Sequence, residues 1–162
     1  MVNALLNPSV SVAFTGHRFI SFEKQTELRK QLRRIIIEQY KQGMTNFFCG
    51  MAIGFDLLAA EIVLSLKESC PSLNLVAVIP FRGQAEKWNS QHQARYRAVL
   101  DKADKVFVLS EKYYNGCLLR RNDFMLAHVC RLISYFDGEP KGGTYYTFQK
   151  AKSKGLPIIN LY

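Results

Sequence analysis

The sequence predicts an α/β domain in three layers, a mostly parallel sheet of about six strands with helices on both faces. Three observations carry that prediction. Short β-branched or aromatic runs alternate along the chain with longer segments of helical period. Some strand runs, such as Leu73–Ile79 (LNLVAVI), are apolar almost throughout, the pattern of strands covered on both sides. The 162 residues suffice for one buried core and are too few for two ordinary ones, so residues 1–162 read as a single domain.

The elements follow in order. Ser9–Phe14 (SVSVAF) reads as the first strand. Phe22–Gln42 reads as a helix, with Leu28, Leu32, Ile35, Ile36 and Tyr40 at helical spacing, Ser21 as its cap and Gly43 as its stop. Thr45–Cys49 is a strand and Phe55–Glu68 a helix with Leu58, Ala59, Ile62, Val63 and Leu66 on one side. After the strand Leu73–Ile79, Gln84–Lys102 reads as a helix carrying Trp88, Tyr96, Val99 and Leu100. Lys105–Leu109 is a strand, Arg120–Val129 a shorter helix and Arg131–Phe136 a strand. Thr144–Lys154 is the last helix, stopped by Gly155 and Pro157, and Pro157–Leu161 the last strand. Strands alternating with helices make a Rossmann-like build, in which right-handed crossovers leave few topologies. Ligands of such sheets bind outside the carboxyl ends of the strands, where strand order reverses.

Composition narrows the function classes. Apolar content of 48% and charged content of 22% are those of a globular domain, and no apolar run is long enough to cross a bilayer. Met1–Pro8 lacks the basic and apolar regions of a signal peptide, so a cytoplasmic protein is expected. Cys49, Cys70, Cys117 and Cys130 show no CxxC spacing, so free thiols are expected, with no metal. Lys and Arg number 22 against 13 Asp and Glu, a net charge of +9, which favours an anionic partner without naming one. Much of that charge lies on the first helix (Arg29, Lys30, Arg33, Arg34) and in the tail (Lys141, Lys150, Lys152, Lys154), where it reads as solvated helix faces.

The loops that leave the strands are the richer ones. They carry Thr15-Gly16-His17-Arg18, then Gly50-Met51-Ala52-Ile53-Gly54 before Phe55-Asp56, then Pro80-Phe81-Arg82-Gly83-Gln84. Arg120-Arg121-Asn122 and Gly142-Gly143-Thr144 follow the fourth and fifth strands. Parallel strands put all of these on one edge of the sheet, and that convergence is the argument for a site. Glycine lets a backbone approach a ligand closely, and the first N–H groups of a helix point at it, which suits phosphate at Gly50–Gly54 and at Gly142–Thr144. Thr144 also reads as a plain N-cap, and Asp56 as a helix cap or as a partner for a ribose hydroxyl. Arg18 suits the forked pairing of guanidinium with phosphate, whereas His17 reads as structural or as a ligand contact. Trp88 reads as core or as a stacking surface for a base, and Tyr113 and Tyr114 as a lid or as loop decoration.

Taken in order, these residues resemble a known superfamily. Cys49 to Glu61 is similar to the glycine-rich run of DNA-processing protein A. Arg121-Asn122 through Gly142-Gly143-Thr144 is similar to the signature of the LOG enzymes, which release cytokinin bases from nucleotides. Both belong to the Rossmann-like SLOG superfamily, and its YpsA-like bacterial branch resembles nearly the whole domain. The resemblance implies a nucleotide or ADP-ribose-type ligand among the residues just named. The LOG signature places a catalytic Glu three residues after its Thr, where this chain has Thr147; Arg121 matches the signature's Arg. Threonine cannot stabilise the positive charge that N-glycosidic cleavage builds on a ribose. Asp56, Glu86 and Asp123 are the candidate replacements.

Three functions are therefore expected, in this order. The first is binding or sensing of a nucleotide or a related small phosphorylated ligand. The second is nucleotide N-glycosidase activity with a relocated acid, using Arg121 with Asp56 or Glu86. The third, by analogy with DNA-processing protein A and from the +9 charge, is single-stranded nucleic-acid binding. No membrane partner is expected, and a homodimer is compatible with the sequence.

Overall fold

The computed structural model describes residues 6–162, so most of Met1–Pro8, the segment read as unlike a signal peptide, lies outside the described residues. A short 3-10 turn, Pro8–Val10, leads into β1 (Ser11–Gly16). The chain continues through α1 (Phe22–Lys41), β2 (Asn46–Cys49), α2 (Phe55–Leu66), β3 (Asn74–Ile79), α3 (Ser90–Lys102) and β4 (Lys105–Val108). It ends with α4 (Cys117–Ala127), β5 (Arg131–Tyr135), α5 (Gly142–Ser153) and β6 (Ile158–Asn160).

The six strands form one parallel sheet in the order β4-β3-β2-β1-β5-β6. Strand side chains alternate between two apolar layers, as a period of two requires. Val12, Phe14, Phe47, Leu75, Ala77 and Ile133 pack with α1, α2 and α3 through residues such as Leu32, Ile36, Leu57, Val63 and Val99. Ala13, Phe48, Val76, Val78 and Leu132 face the other way, onto Met125 and Leu126 of α4 and Ala151 of α5. This is the expected three-layer Rossmann-like α/β architecture. After β4 the chain returns across the sheet to lay β5 on the free side of β1. Strand order therefore reverses between β1 and β5, and the loops leaving these two strands diverge over a crevice at their carboxyl ends.

Several boundaries differ from the sequence reading. β1 begins at Ser11, because Pro8–Val10 form the 3-10 turn, and it runs on through Thr15 and Gly16. Thr15 and Gly16 pair there with Ser134 and Tyr135 of β5. α3 starts at Ser90, since Asn89 caps it by accepting from the His92 backbone N–H at 2.8 Å. Residues 83–88 form successive tight turns instead, with Gln84, Glu86 and Trp88 each donating to the carbonyl three residues back. α4 starts earlier than expected, at Cys117, behind Gly116 in the left-handed conformation. α5 starts at Gly142, so Thr144 is inside the helix and Lys141 holds the N-cap position without a side-chain cap bond. Ser21 stands at the N-cap of α1, yet its hydroxyl makes no cap bond. Among the described residues, no helix is long and apolar enough to cross a membrane.

Candidate functional site

A cavity of about 470 Å³ opens in the crevice between β1 and β5. One wall is Thr15, Gly16, His17 and Arg18, at the end of β1. The opposite wall is Lys141, Gly142, Gly143 and Thr144, at the start of α5. Ala52 and Asp56 close one side, and Arg121 and Asn122 of α4 another. Eleven of the expected site residues thus share one cavity, drawn from the loops after β1, β2 and β5 and from α4.

The glycines make this approach geometrically feasible. A Cβ on Gly16 would stand 2.4 Å from the Phe55 ring, so only glycine lets β1 run against the start of α2. Gly54 has φ +86°, and a Cβ there would lie 2.2 Å from the Arg18 carbonyl oxygen. The Phe55 N–H donates to the His17 carbonyl at 3.1 Å, tying the two loops together. Met51 is fully buried at φ +61°, a strained conformation for a long side chain. Its N–H is turned to the Cys49 sulfur at 3.4 Å.

Asp56 and Arg121 are the buried ionisable groups of the cavity wall, 6% and 5% exposed. Asp56 Oδ2 accepts from the Ala52 N–H at 3.2 Å, so this carboxylate sits where a bound anion was expected in the Gly50–Gly54 turn. Asp56 Oδ1 is buried and, among the described residues, has no hydrogen-bond partner. Burial pushes the Asp56 carboxyl up to about 6, against the pull of the Arg121 charge. Arg121 donates from Nε to Asn122 Oδ1 at 2.8 Å and from its terminal nitrogen to the Gly50 carbonyl. A Cβ on Gly50 would stand 2.7 Å from the guanidinium carbon, which explains that glycine. Burial also lowers the Arg121 pKa, opposed chiefly by the Asp56 carboxylate.

His17 anchors the loop that leads into α5. Its Nε2 lies 3.0 Å from the Asp137 backbone N–H and 3.1 Å from the Asp137 carboxylate. Beyond it, Gly142 takes φ +85° and presents the uncapped start of α5 to the cavity.

Other expected residues lie elsewhere. Gly50, Met51 and Gly54 support the wall without lining it, and Pro80 is buried at the end of β3. Phe81, Gln84, Glu86 and Trp88 line a second cavity of about 550 Å³, which shares Arg18, Tyr113 and Leu118 with the first. Trp88 is half-buried, packs on the core and also lines this cavity. Thr147 is buried, with its hydroxyl bonded to the Gly143 carbonyl at 2.9 Å. Asp123 lies between α4 and α5, held by Lys150 at 2.7 Å and the Tyr146 hydroxyl at 3.1 Å, and lines neither cavity.

Sequence reasoning missed Lys141 as a site residue, treating it as tail charge. Its position directly before a Gly-Gly helix start was the available signal. Asn115, Gly116 and Leu119 also line the cavity, and no sequence signal marked them.

The model of the YpsA family, described as the YspA SLOG family, matches residues 12–156. This chain belongs to that SLOG family. The match spans every strand except the last, and therefore the whole crevice. Among curated proteins, a UPF0398 protein of Shouchella clausii is 32% identical over 141 residues, covering 85% of this SLOG chain and 72% of the relative. A UPF0398 protein of Bacillus licheniformis is 28% identical over 140 residues, with coverage of 83% and 76%. The X-ray structure of TM1055, a structural genomics target, matches with a TM-score of 0.58 at 15% identity. It covers 91% of this SLOG domain and 71% of the other chain, and so supports the shared fold.

Proposed function

We propose that the β1–β5 cavity binds a nucleotide or a nucleotide-derived phosphorylated ligand. The observation that carries this reading is the buried, unpartnered Oδ1 of Asp56, a residue that lines the same cavity as the start of α5. A buried acceptor without a donor is costly, and a ligand hydroxyl at that position would satisfy it. In the same cavity, the Gly142–Thr144 helix start and Lys141 on one wall and Arg18 on the other offer N–H groups and positive charge to a phosphate. A hydroxyl donor and an anion within one small molecule is the chemistry of a sugar phosphate. On this reading the protein works in the cytoplasm, where nucleotides are.

The test is thermal unfolding with a panel of nucleotides and ADP-ribose. A ligand at a hundred times its Kd is expected to add about 2.7 kcal/mol, which raises Tm by roughly 5–10 °C for a domain of this size. Lys141→Ala should reduce that shift. No stabilisation by any member of the panel would sink the reading.

A second reading is favoured by Asp56 itself. A carboxylate in the cavity beside Arg121 can stabilise positive charge on a ribose, the part that Thr147 cannot play. An active N-glycosidase would release a free base, visible by chromatography, and Asp56→Asn would abolish the release. A panel left intact by the wild-type protein removes this reading.

A further inference from the structure

We propose that the cavity walled by Phe81, Trp88 and Tyr113 is the base subsite of the same ligand, which is a nucleoside phosphate lying across both cavities. This rests on the reading of the β1–β5 cavity given above. The two cavities adjoin, because Arg18, Tyr113 and Leu118 line both.

Aromatic surface distinguishes the second cavity. Trp88 meets the Tyr96 ring edge-on, centroids 5.2 Å apart at 84°. Phe81 meets Tyr113 in the same way, at 5.4 Å and 80°. Held at their edges, these rings offer flat apolar area to a planar guest. The Gln84 side chain stiffens the wall, donating to the Gly50 carbonyl at 3.0 Å and accepting from the Tyr96 hydroxyl at 3.2 Å. That same Gly50 carbonyl accepts from Arg121, so one backbone oxygen links the walls of both cavities.

Charge sets the direction of the ligand. In the first cavity, Arg18, Arg121 and Lys141 stand against the carboxylate of Asp56, and Glu139 outside the lining pairs with Lys141 at 2.9 Å, so the cationic excess lies with the two arginines. In the second, Lys87 and Lys112 are balanced by Glu86 and Glu111, with only the shared Arg18 in excess. A phosphate is therefore drawn to the first cavity, and the neutral base falls to the aromatic side.

Trp88 is the sole tryptophan, so its emission reports on this cavity alone. Fluorescence and calorimetry with AMP, GMP, UMP and ribose 5-phosphate test the proposal. At least one nucleotide should quench Trp88 and bind about tenfold or more tightly than ribose 5-phosphate, the scale of one stacked base. Phe81→Ala should bring that nucleotide down to the affinity of ribose 5-phosphate and leave ribose 5-phosphate unaffected. Trp88→Phe, which keeps a ring in place, should retain nucleotide affinity where Trp88→Ala loses it. Equal binding of nucleotides and ribose 5-phosphate with unchanged emission would overturn the base subsite and leave the phosphate reading standing. Binding by none of the four would overturn both.

Discussion

Asp56 is the one buried carboxyl among the residues that line the β1–β5 cavity. Its carboxyl is pushed up to about 6 by burial, well above the ordinary value of 3.8. A carboxyl whose pKa is raised by folding binds its proton more tightly in the folded state. It therefore adds stability at low pH, and that contribution is lost as pH rises from about 4 through about 6. Two pKa units correspond to an upper bound of about 3 kcal/mol. Asp56→Asn should lack this pH-dependent component. Urea unfolding of both proteins at pH 4 and pH 7 measures it, and a difference between them that is independent of pH would contradict the assignment. Arg18, Arg121 and the glycines were legible in the sequence because their chemistry is local. The orphaned oxygen of Asp56 was not, because it depends on what fails to approach it in space.

Among the elements, α3 separates pattern from structure most clearly. Apolar spacing from Trp88 to Leu100 reads as one long helix, yet Asn89 caps the helix and the preceding residues turn. Periodicity responds to which side chains are buried, and Trp88 is half-buried from a turn as readily as from a helix. Asn89→Ala should remove the bond to the His92 N–H and cost about 1 kcal/mol. Tm should fall by roughly 2–4 °C, measured by circular dichroism. An unchanged Tm would mean that the cap carries no weight. The start of α5 was displaced by the same kind of error. Thr144 is a good cap by type, but the left-handed Gly142 starts the helix two residues earlier and leaves that end open to the cavity. The same displacement makes a candidate anion site out of an ordinary helix start.

For the whole molecule, the reversal of strand order decides where everything else goes. It parts the β1 loop, which leads to the α1–α3 face, from the β5 loop, which leads to the α4–α5 face. A ligand in the crevice would touch both at once. Hydrogen exchange with a saturating nucleotide is expected to slow together in residues 15–18 and 136–144, while the exposed basic face of α1 (Arg29, Lys30, Arg33, Arg34) stays unchanged. Protection confined to α1 would instead favour a polyanion on the helix surface, the nucleic-acid reading that the net charge of +9 raised.

Composition, strand–helix rhythm and the glycine-bearing turns were enough to specify the parallel sheet, its two covered faces and the edge on which the glycine-bearing loops gather. Those features are local or periodic, and a linear chain records them directly. The division into two cavities, the filling of the Gly50–Gly54 turn by the protein's own carboxylate and the recruitment of Lys141 appeared only in three dimensions. Each depends on distances between residues far apart in sequence, and those distances follow from packing the whole chain.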